Sequence, residues 1–291
     1  MFQVEELAEQ WPVFRLTDGA AQSVLEVVPD RGGIITRWAI QGQELLYLDR
    51  DRYQDPNLSI RGGIPILFPI CGNLPDNRYQ LPSGETGILK QHGFARDLPW
   101  MVTGSDLRDA ASITLTLDAT PATLAVYPFQ FRLDFTYRLQ GNQLEIIQNH
   151  HNLGDRPMPF SSGLHPYFNV ADKSALAIDL PVTEYFDQKR QSTGAFDGNL
   201  DFEQDELDLR FPVVDRLSAT VTDRQQQQTL SLEFDASYRT LVFWTLKGKP
   251  FYCLEPWTGP RNALNTGEQL LWLDPGATHT NQVRLQLQHN C

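Results

Sequence analysis

The residues best suited to chemistry in this chain are one glutamate and two histidines, each in an apolar, turn-marked setting. Glu255 lies in Leu254-Glu255-Pro256-Trp257-Thr258-Gly259, an unusual place for a solvated charge. His92 and His165, two of only six histidines, occupy similar settings. A carboxylate can remove a proton, an imidazole can deliver one, and aromatic rings can pack on the apolar face of a sugar. These residues therefore suit acid–base chemistry on a polyhydroxylated ring.

Short alternating segments dominate the chain and must supply the scaffold for these residues. Polar and apolar residues alternate over residues 112–117, 131–137, 230–234 and 283–287. Because successive side chains of a strand point to opposite faces, each segment predicts a strand with one apolar face. Turn signals such as Gly141-Asn142 separate these segments, and no segment combines long helical periodicity with caps at both ends. The sequence predicts an all-β protein with large sheets stacked face to face.

Composition and charge narrow the class of function. The chain has 291 residues, of which 41% are hydrophobic, enough for a sizeable core. The formal net charge of -12 argues against nucleic acid as a partner and disfavours anionic membrane surfaces. Neither a membrane span nor a secretory signal is visible, which predicts a cytoplasmic protein. Cys71, Cys253 and Cys291 form neither a disulfide framework nor an obvious zinc site, and the first two are interpreted as packing residues. We therefore expect no metal.

One acidic segment and one further aspartate each allow a structural as well as a functional interpretation. The segment Glu203-Gln204-Asp205-Glu206-Leu207-Asp208 is predicted to be a solvated loop rather than a cation site. Asp187, in Tyr185-Phe186-Asp187, is a candidate for an extra polar contact to a ligand, and a surface turn is the stronger interpretation.

The order and spacing of several motifs resemble the aldose 1-epimerase (galactose mutarotase-like) family, and most closely its D-hexose-6-phosphate mutarotase-like branch. The motifs, in chain order, are Pro29-Asp30-Arg31-Gly32-Gly33-Ile34, Arg61-Gly62-Gly63-Ile64-Pro65, Phe68-Pro69, His92-Gly93-Phe94-Ala95-Arg96, His165-Pro166-Tyr167-Phe168 and Glu255-Pro256-Trp257-Thr258-Gly259. The resemblance spans nearly the whole chain. It implies a twisted β-supersandwich, in agreement with the all-β prediction, and we expect a single domain over residues 1–291.

The resemblance also implies roles for individual residues. Glu255 resembles the family's general base, His165 its general acid, and His92 its second active-site histidine, which contacts the sugar. In the implied reaction Glu255 takes the proton of the anomeric hydroxyl while a protonated His165 gives one to the ring oxygen. The opened ring recloses after rotation about the C1–C2 bond, which interconverts the α and β anomers. We expect Glu255 and His165 to face each other across one pocket, about a pyranose ring apart.

Two arginines and two aromatic residues complete the expected substrate contacts. In the hexose-phosphate branch, arginines matching Arg61 and Arg96 are associated with a phosphate or sulfate, which guanidinium binds bidentately. The alternative for both is a structural ion pair with a neighbouring acid. Asn73 stands where many relatives carry a basic residue, which leaves open whether the sugar is free or phosphorylated. Tyr167 and Trp257 are expected to contact the sugar, with core packing as the alternative.

Three functions compete for this sequence. The first is a cofactor-free mutarotase, monomeric or weakly dimeric, that acts on an aldose or a hexose 6-phosphate. The second is a noncatalytic carbohydrate-binding or sugar-sensing protein on the same scaffold. Glu255 and His165 together favour the enzyme, because a pure binder need not keep both. The third, a glycoside hydrolase, usually needs two carboxylates that flank the scissile bond, and the motifs hold only one convincing acid.

Overall fold

The computed structural model describes residues 1–213 and 216–290, which form 25 strands and three short α-helices. The strands are β1 (Phe2–Leu7), β2 (Val13–Asp18), β3 (Ser23–Val28), β4 (Ile34–Ile40), β5 (Gln43–Glu44), β6 (Ile66–Leu67), β7 (Arg78–Gln80), β8 (Thr86–Ile88), β9 (Met101–Asp106), β10 (Ala111–Asp118), β11 (Phe131–Gln140), β12 (Gln143–Asn152), β13 (Met158–Phe160), β14 (Gly163–Leu164), β15 (Tyr167–Asn169), β16 (Leu176–Asp179), β17 (Glu184–Asp187), β18 (Ser192–Ala195), β19 (Glu206–Pro212), β20 (Ser218–Asp223), β21 (Gln228–Phe234), β22 (Thr240–Leu246), β23 (Phe251–Trp257), β24 (Leu271–Leu273) and β25 (Thr278–His289). The α-helices are α1 (Arg50–Gln54), α2 (Pro121–Val126) and α3 (Ala263–Thr266). Single-turn 3₁₀ helices occupy Pro29–Arg31, Pro75–Asn77, Ala95–Asp97 and Lys173–Ala175. The helices in the described part of the chain are all short, and none of them could span a membrane.

Antiparallel pairing arranges most of the strands into three large sheets, and β7-β8 and β13-β24 form two small ones. The first is a five-stranded sheet with the order β1-β2-β3-β4-β5. The second has eight strands in the order β16-β20-β21-β25-β12-β11-β10-β9. The third also has eight strands, in the order β18-β17-β19-β22-β23-β14-β6, with β15 paired to β23. The all-β prediction is therefore confirmed.

The alternating segments are strands, as their patterns predicted. They lie within β10, β11, β21 and β25. Burial in β11 alternates strictly at every second residue from Phe131 to Leu139, so one face of this strand meets the core. Gly141 and Asn142 form the two-residue connection from β11 to β12, and Gly141 has a φ of 61°. Such short hairpin loops favour this left-handed backbone, which glycine adopts without strain.

One hydrophobic cluster holds the three large sheets together. It contains Leu25 of the first sheet, Phe135 and Leu285 of the second, and Phe243 and Leu254 of the third. Removal of these apolar side chains from water is the force that keeps the sheets packed against one another. A single domain over residues 1–291 stays a prediction.

The acidic segment 203–208 is only in part the solvated loop that the sequence predicted: residues 203–205 lie in a turn, with Glu203 and Asp205 exposed. β19 begins at Glu206 and pairs with β22, and Asp208 is buried. Alternation along the strand places Glu206 and Asp208 on one face, with Leu207 and Leu209 on the other. For Glu206 and Asp208 the prediction was wrong, because these two acids face a cavity in the protein, whereas their composition resembles that of an exposed loop.

Replacing Phe243 by alanine should lower the free energy of unfolding by about 3–5 kcal/mol, because it leaves a cavity in the core. The ring is fully buried and stacks on Tyr252 with ring centroids 5.8 Å apart. Urea unfolding followed by circular dichroism measures the change. Ile88→Ala is the matched control, since that side chain is 54% exposed and should change stability by less than about 1 kcal/mol. Equal losses for the two variants would contradict this assignment of the core.

Candidate active site

A cavity of about 290 Å³ opens on one face of the third sheet. Its floor is formed by Glu206 and Asp208 of β19, Trp244 of β22, and Glu255 and Trp257 of β23. Alternate residues of a strand share a face, and the cross-strand registers bring these five together. The remaining lining residues are Arg52, Ser59, Ile60, Arg61, Gln91, His92, Arg96, His165, Tyr167 and Arg261. Polar and charged groups thus converge on a space of small-molecule size.

Glu255 reaches the cavity because successive side chains of β23 point to opposite faces of the sheet. Leu254 packs in the main hydrophobic cluster, whereas Glu255 and Trp257 border the cavity. Glu255 is 1% exposed, and its Oε2 accepts a hydrogen bond from Nε1 of Trp257 at 3.2 Å. Burial raises the pKa of Glu255 well above its usual value, and the nearby charge of Asp208 adds to the shift. Once ionised, this carboxylate is a stronger base than a solvated one.

His165 lies between β14 and β15, directly beside Glu255. Its Nε2 is 3.5 Å from Oε1 of Glu255, and its ring stacks on Tyr167 with centroids 4.7 Å apart. Burial lowers the pKa of His165 to about 3, because the imidazolium is disfavoured away from water, and the positive charge of Arg96 adds to the shift. A neutral imidazole is therefore the favoured form of His165 in the free protein.

Glu255 and His165 lie side by side on one wall of the cavity. The prediction that they face each other across the width of a pyranose ring is therefore wrong. His165 lies just before β15, whose Tyr167 pairs with Cys253 of β23, and neighbouring strands of a sheet are only about 4.8 Å apart. The pKa of Glu255 is raised and that of His165 is lowered, so the pair holds one proton between these two values. A carboxylate with an imidazolium contains the same number of protons as a carboxylic acid with an imidazole.

His92 is a hydrogen-bond donor whose tautomer is fixed by the backbone. Its Nδ1 accepts the amide N–H of Gly72 at 3.1 Å, and its own amide donates to the Gly72 carbonyl at 2.7 Å. A ring nitrogen that accepts a hydrogen bond is unprotonated, so the proton of the neutral ring is on Nε2. Burial lowers the pKa of His92 well below its usual value, and the charge of Arg96 acts in the same direction. His92 thus offers the cavity a neutral N–H donor.

Arg261, which the sequence did not reveal as a site residue, supplies a cation at the turn that contains Asn73. Its Nη2 donates to both carboxylate oxygens of Asp208 at 2.8 Å, and its Nη1 donates to Oδ1 of Asn73 at 3.1 Å. The side chain crosses Gly72, where a Cβ would lie 2.3 Å from Cγ of Arg261. The missing side chain of Gly72 therefore leaves space for Arg261, while the amide of Gly72 orients His92.

Arg61 and Arg96 both border the cavity, as predicted, and neither forms an ion pair with any residue that the structure describes. Arg61 is exposed. Arg96 donates from Nη2 to the carbonyl of Gln91 at 2.9 Å, and its Nε is buried without a hydrogen-bond partner. The alternative of a structural ion pair finds no support within residues 1–213 and 216–290.

Asp187 is not brought together with the other predicted site residues. It ends β17, and its Oδ1 accepts the backbone amides of Lys189 and Arg190 at 2.8 and 2.9 Å. The carboxylate closes the turn between β17 and β18, which is the alternative that the sequence offered. Tyr167 and Trp257, by contrast, border the cavity, and their contact with a sugar stays a prediction.

Seven lining residues besides Arg261 were not predicted, and the three of them on the cavity floor, Glu206, Asp208 and Trp244, are each held by a polar contact. Trp244 donates from Nε1 to Oε1 of Glu206 at 2.9 Å, and Lys189 lies 2.8 Å from the other carboxylate oxygen of Glu206. Asp208 is paired with Arg261. The alternation of acidic residues with leucines over 206–209 was the one local signal that these acids lie on a strand.

Comparison with solved structures defines the fold. The Slr1438 protein from Synechocystis sp. PCC 6803 is 45% identical over 100% of both chains, with a TM-score of 0.95. A galactose mutarotase-like protein from Clostridium acetobutylicum is 18% identical over 99% of both chains, with a TM-score of 0.85. The fold is therefore the twisted β-supersandwich of galactose mutarotase-like proteins, as predicted.

Comparison with sequences defines the family. Protein LacX of Lactococcus lactis subsp. lactis is 29% identical over 236 residues, which is 72% of this chain and 78% of LacX. A protein of Escherichia coli strain K12, provisionally named glucose-6-phosphate 1-epimerase, is 31% identical over 151 residues, which is 51% of this chain and 46% of that protein. The family model described as aldose 1-epimerase matches residues 12–286. The chain therefore belongs to the aldose 1-epimerase family.

Proposed function

We propose that this protein is a mutarotase that interconverts the α and β anomers of an aldose or a hexose 6-phosphate by acid–base ring opening. The observation that carries the proposal is the 3.5 Å separation of His165 Nε2 and Glu255 Oε1 in the cavity wall. Ring opening removes a proton from the anomeric hydroxyl and delivers one to the ring oxygen. Both oxygens are bonded to the same carbon, so a base and an acid in contact can serve them together.

In this mechanism the proton of the pair first moves from Glu255 to His165, so that Glu255 is then the base and His165 the acid. Oε1 of Glu255 takes the hydroxyl proton, the bond from C1 to the ring oxygen breaks, and the imidazolium of His165 protonates that oxygen. Rotation about the C1–C2 bond turns the aldehyde, and reclosure reverses both transfers. The pair starts and ends with one proton, so the cycle takes up and releases none.

The neighbouring residues support these transfers without exchanging protons themselves. Trp257 holds Oε2 of Glu255, which leaves Oε1 for the sugar. His92 donates from Nε2 to a sugar oxygen, because its Nδ1 is committed to Gly72. Donors fixed in advance need no reorganisation during the reaction, which is the usual origin of electrostatic catalysis.

The finer proposal is that the substrate is a hexose 6-phosphate. Arg61 and Arg96 border the cavity without a carboxylate partner, so their guanidinium groups are available to an anion. Arg261 is not available in the same way, because Asp208 engages it with two hydrogen bonds. The provisional name of the Escherichia coli relative supports the same substrate class.

A glycoside hydrolase is disfavoured by the state of the other acids in the cavity. Asp208 is bound by Arg261, and Glu206 is bound by Lys189 and Trp244. Neither carboxylate is free to act with Glu255 on a glycosidic bond, as that reaction requires. A noncatalytic sugar binder would use the same cavity, and the following variant separates it from an enzyme.

Glu255→Gln should reduce enzymatic anomerisation at least about 100-fold while the fold and sugar binding are retained. The amide oxygen still accepts from Trp257 but cannot take a proton from the sugar. NMR exchange on glucose and glucose 6-phosphate, corrected for spontaneous anomerisation, gives the rate. Asp187→Asn is the matched control, because that carboxylate lies outside the cavity and its loss should leave the rate unchanged. Near-normal turnover by Glu255→Gln would exclude Glu255 as the base.

Arg96→Ala and Arg61→Ala should each raise KM for glucose 6-phosphate about tenfold or more, through loss of a charge-assisted hydrogen bond. KM for glucose should change much less, so glucose is the control substrate for each variant. Initial rates with both sugars measure the ratio. Equal losses for the two sugars would contradict a phosphate site and favour a free aldose as substrate.

The two ring nitrogens of His92 should show different protonation in ¹⁵N NMR spectra, with a bare Nδ1 and a proton on Nε2. Burial lowers the pKa of His92, so this neutral pattern should persist as the pH falls through the ordinary histidine value of 6.5. Loss of the signals in His92→Gln assigns them. A proton on Nδ1, or a protonation step near that ordinary value, would contradict the donor role.

A further inference from the structure

We propose that the cavity wall contains a transition-metal site formed by His165, Cys253 and Glu255, and that a zinc-class divalent cation bound there blocks the reaction. An imidazole nitrogen, the thiol sulfur and a carboxylate oxygen all lie within 4.8 Å of one another, and all three residues are buried. This is the one group of three such ligands in the part of the chain that the structure describes. Only the effect on turnover rests on the proposed function; binding of the cation does not.

Regular strand geometry brings the three ligands together. Cys253 and Glu255 are two residues apart on β23, so their side chains leave the strand on the same face. His165 directly precedes β15, whose Tyr167 pairs with Cys253. The three residues therefore lie on or directly beside neighbouring strands of one sheet. Such a scaffold holds metal ligands in place more precisely than mobile loops do.

The ligand types select the kind of cation. Thiolate, imidazole and carboxylate together suit Zn²⁺ and Co²⁺, whereas Mg²⁺ and Ca²⁺ prefer oxygen ligands alone. Tetrahedral zinc with bonds of roughly 2.0–2.3 Å places its ligand atoms about 3.3–3.8 Å apart. The 3.5 Å between His165 Nε2 and Glu255 Oε1 already falls in this range. The sulfur of Cys253 has to move by on the order of 1 Å to complete the set.

The surroundings leave the fourth coordination position open toward the cavity. His165 and Glu255 border the cavity, and Cys253 is fully buried behind them, so the cation enters from the cavity side. Trp257 occupies Oε2 of Glu255 and leaves Oε1 for the cation. The charge of Arg261 is offset by its pairing with Asp208. The open position faces the space assigned to the sugar, so cation and sugar compete.

A cation at this position would remove the acid and the base at the same time. A carboxylate oxygen bound to metal cannot take the anomeric proton, and a ring nitrogen bound to metal cannot carry one. The protein would therefore be a mutarotase that zinc-class cations inhibit competitively, through a cysteine that takes no part in the reaction itself.

Cobalt is the probe for binding, because a thiolate ligand gives Co²⁺ an intense charge-transfer absorption. Titration of Co²⁺ into EDTA-treated protein should produce this band in the unmodified protein and in Cys71→Ala. Cys71 is the matched control, a buried thiol outside the proposed ligand group. The band should be absent from Cys253→Ala, with Cys253→Ser as a second variant should alanine impair folding. Absence of the band from the unmodified protein, or its persistence in both Cys253 variants, would overturn the site.

Zinc inhibition tests the consequence for turnover. Cys253→Ala should need at least about tenfold more Zn²⁺ than Cys71→Ala for the same fractional loss of anomerisation, each variant being compared with its own EDTA-treated rate. Added sugar should raise the Zn²⁺ concentration required, and EDTA should restore the rate. Equal sensitivity of the two variants would overturn the role of Cys253. If the protein lacks mutarotase activity, the cobalt band still decides whether the site exists.

Discussion

The carboxylate of Glu255 is almost wholly withdrawn from water, and the surrounding structure is arranged to support it there. At 1% exposure an isolated carboxylate would be strongly disfavoured. Trp257 donates a hydrogen bond to it, His165 lies 3.5 Å away, and the charge of Arg261 lowers its pKa while burial and Asp208 raise it. Burial outweighs the lowering influences, so the pKa of Glu255 stays well above its usual value and the ionised carboxylate is a stronger base than a solvated one.

The same constraint explains the contacts of the polar residues around it. Charges withdrawn from water need a partner, and on the cavity floor the buried Asp208 is paired with Arg261 and the half-buried Glu206 with Lys189. Gly72 supports two of the neighbouring side chains. Its amide fixes the ring of His92, and its missing Cβ leaves room for Arg261. The site geometry thus depends on one face of the third sheet and on the turn at Gly72. A side chain at Gly72 would disturb both the donor His92 and the ion pair of Arg261 with Asp208.

The sequence predicted the features that depend on residues close together in the chain. Alternation predicted the strands, and the motifs that contain Glu255, His165 and His92 led to three residues that share one cavity. The 3.5 Å separation could not be predicted, because no motif encodes which strands are neighbours. Arg261 was missed for the same reason, since its partner Asp208 is 53 residues away in sequence. The turn at residues 187–190 is local, and for that segment the turn interpretation agrees with the structure.

The central claim is that Glu255 and His165 act as one proton-transfer pair, and a double-mutant cycle tests it most directly. Anomer exchange is measured by NMR for the unmodified protein, Glu255→Gln, His165→Asn and the double variant, after subtraction of the spontaneous rate. Residues that act as a unit in one step are strongly non-additive. The account predicts that the double variant is no slower than the slower single variant. A double variant whose loss equals the product of the two single losses would show that the residues act independently, and would contradict the account.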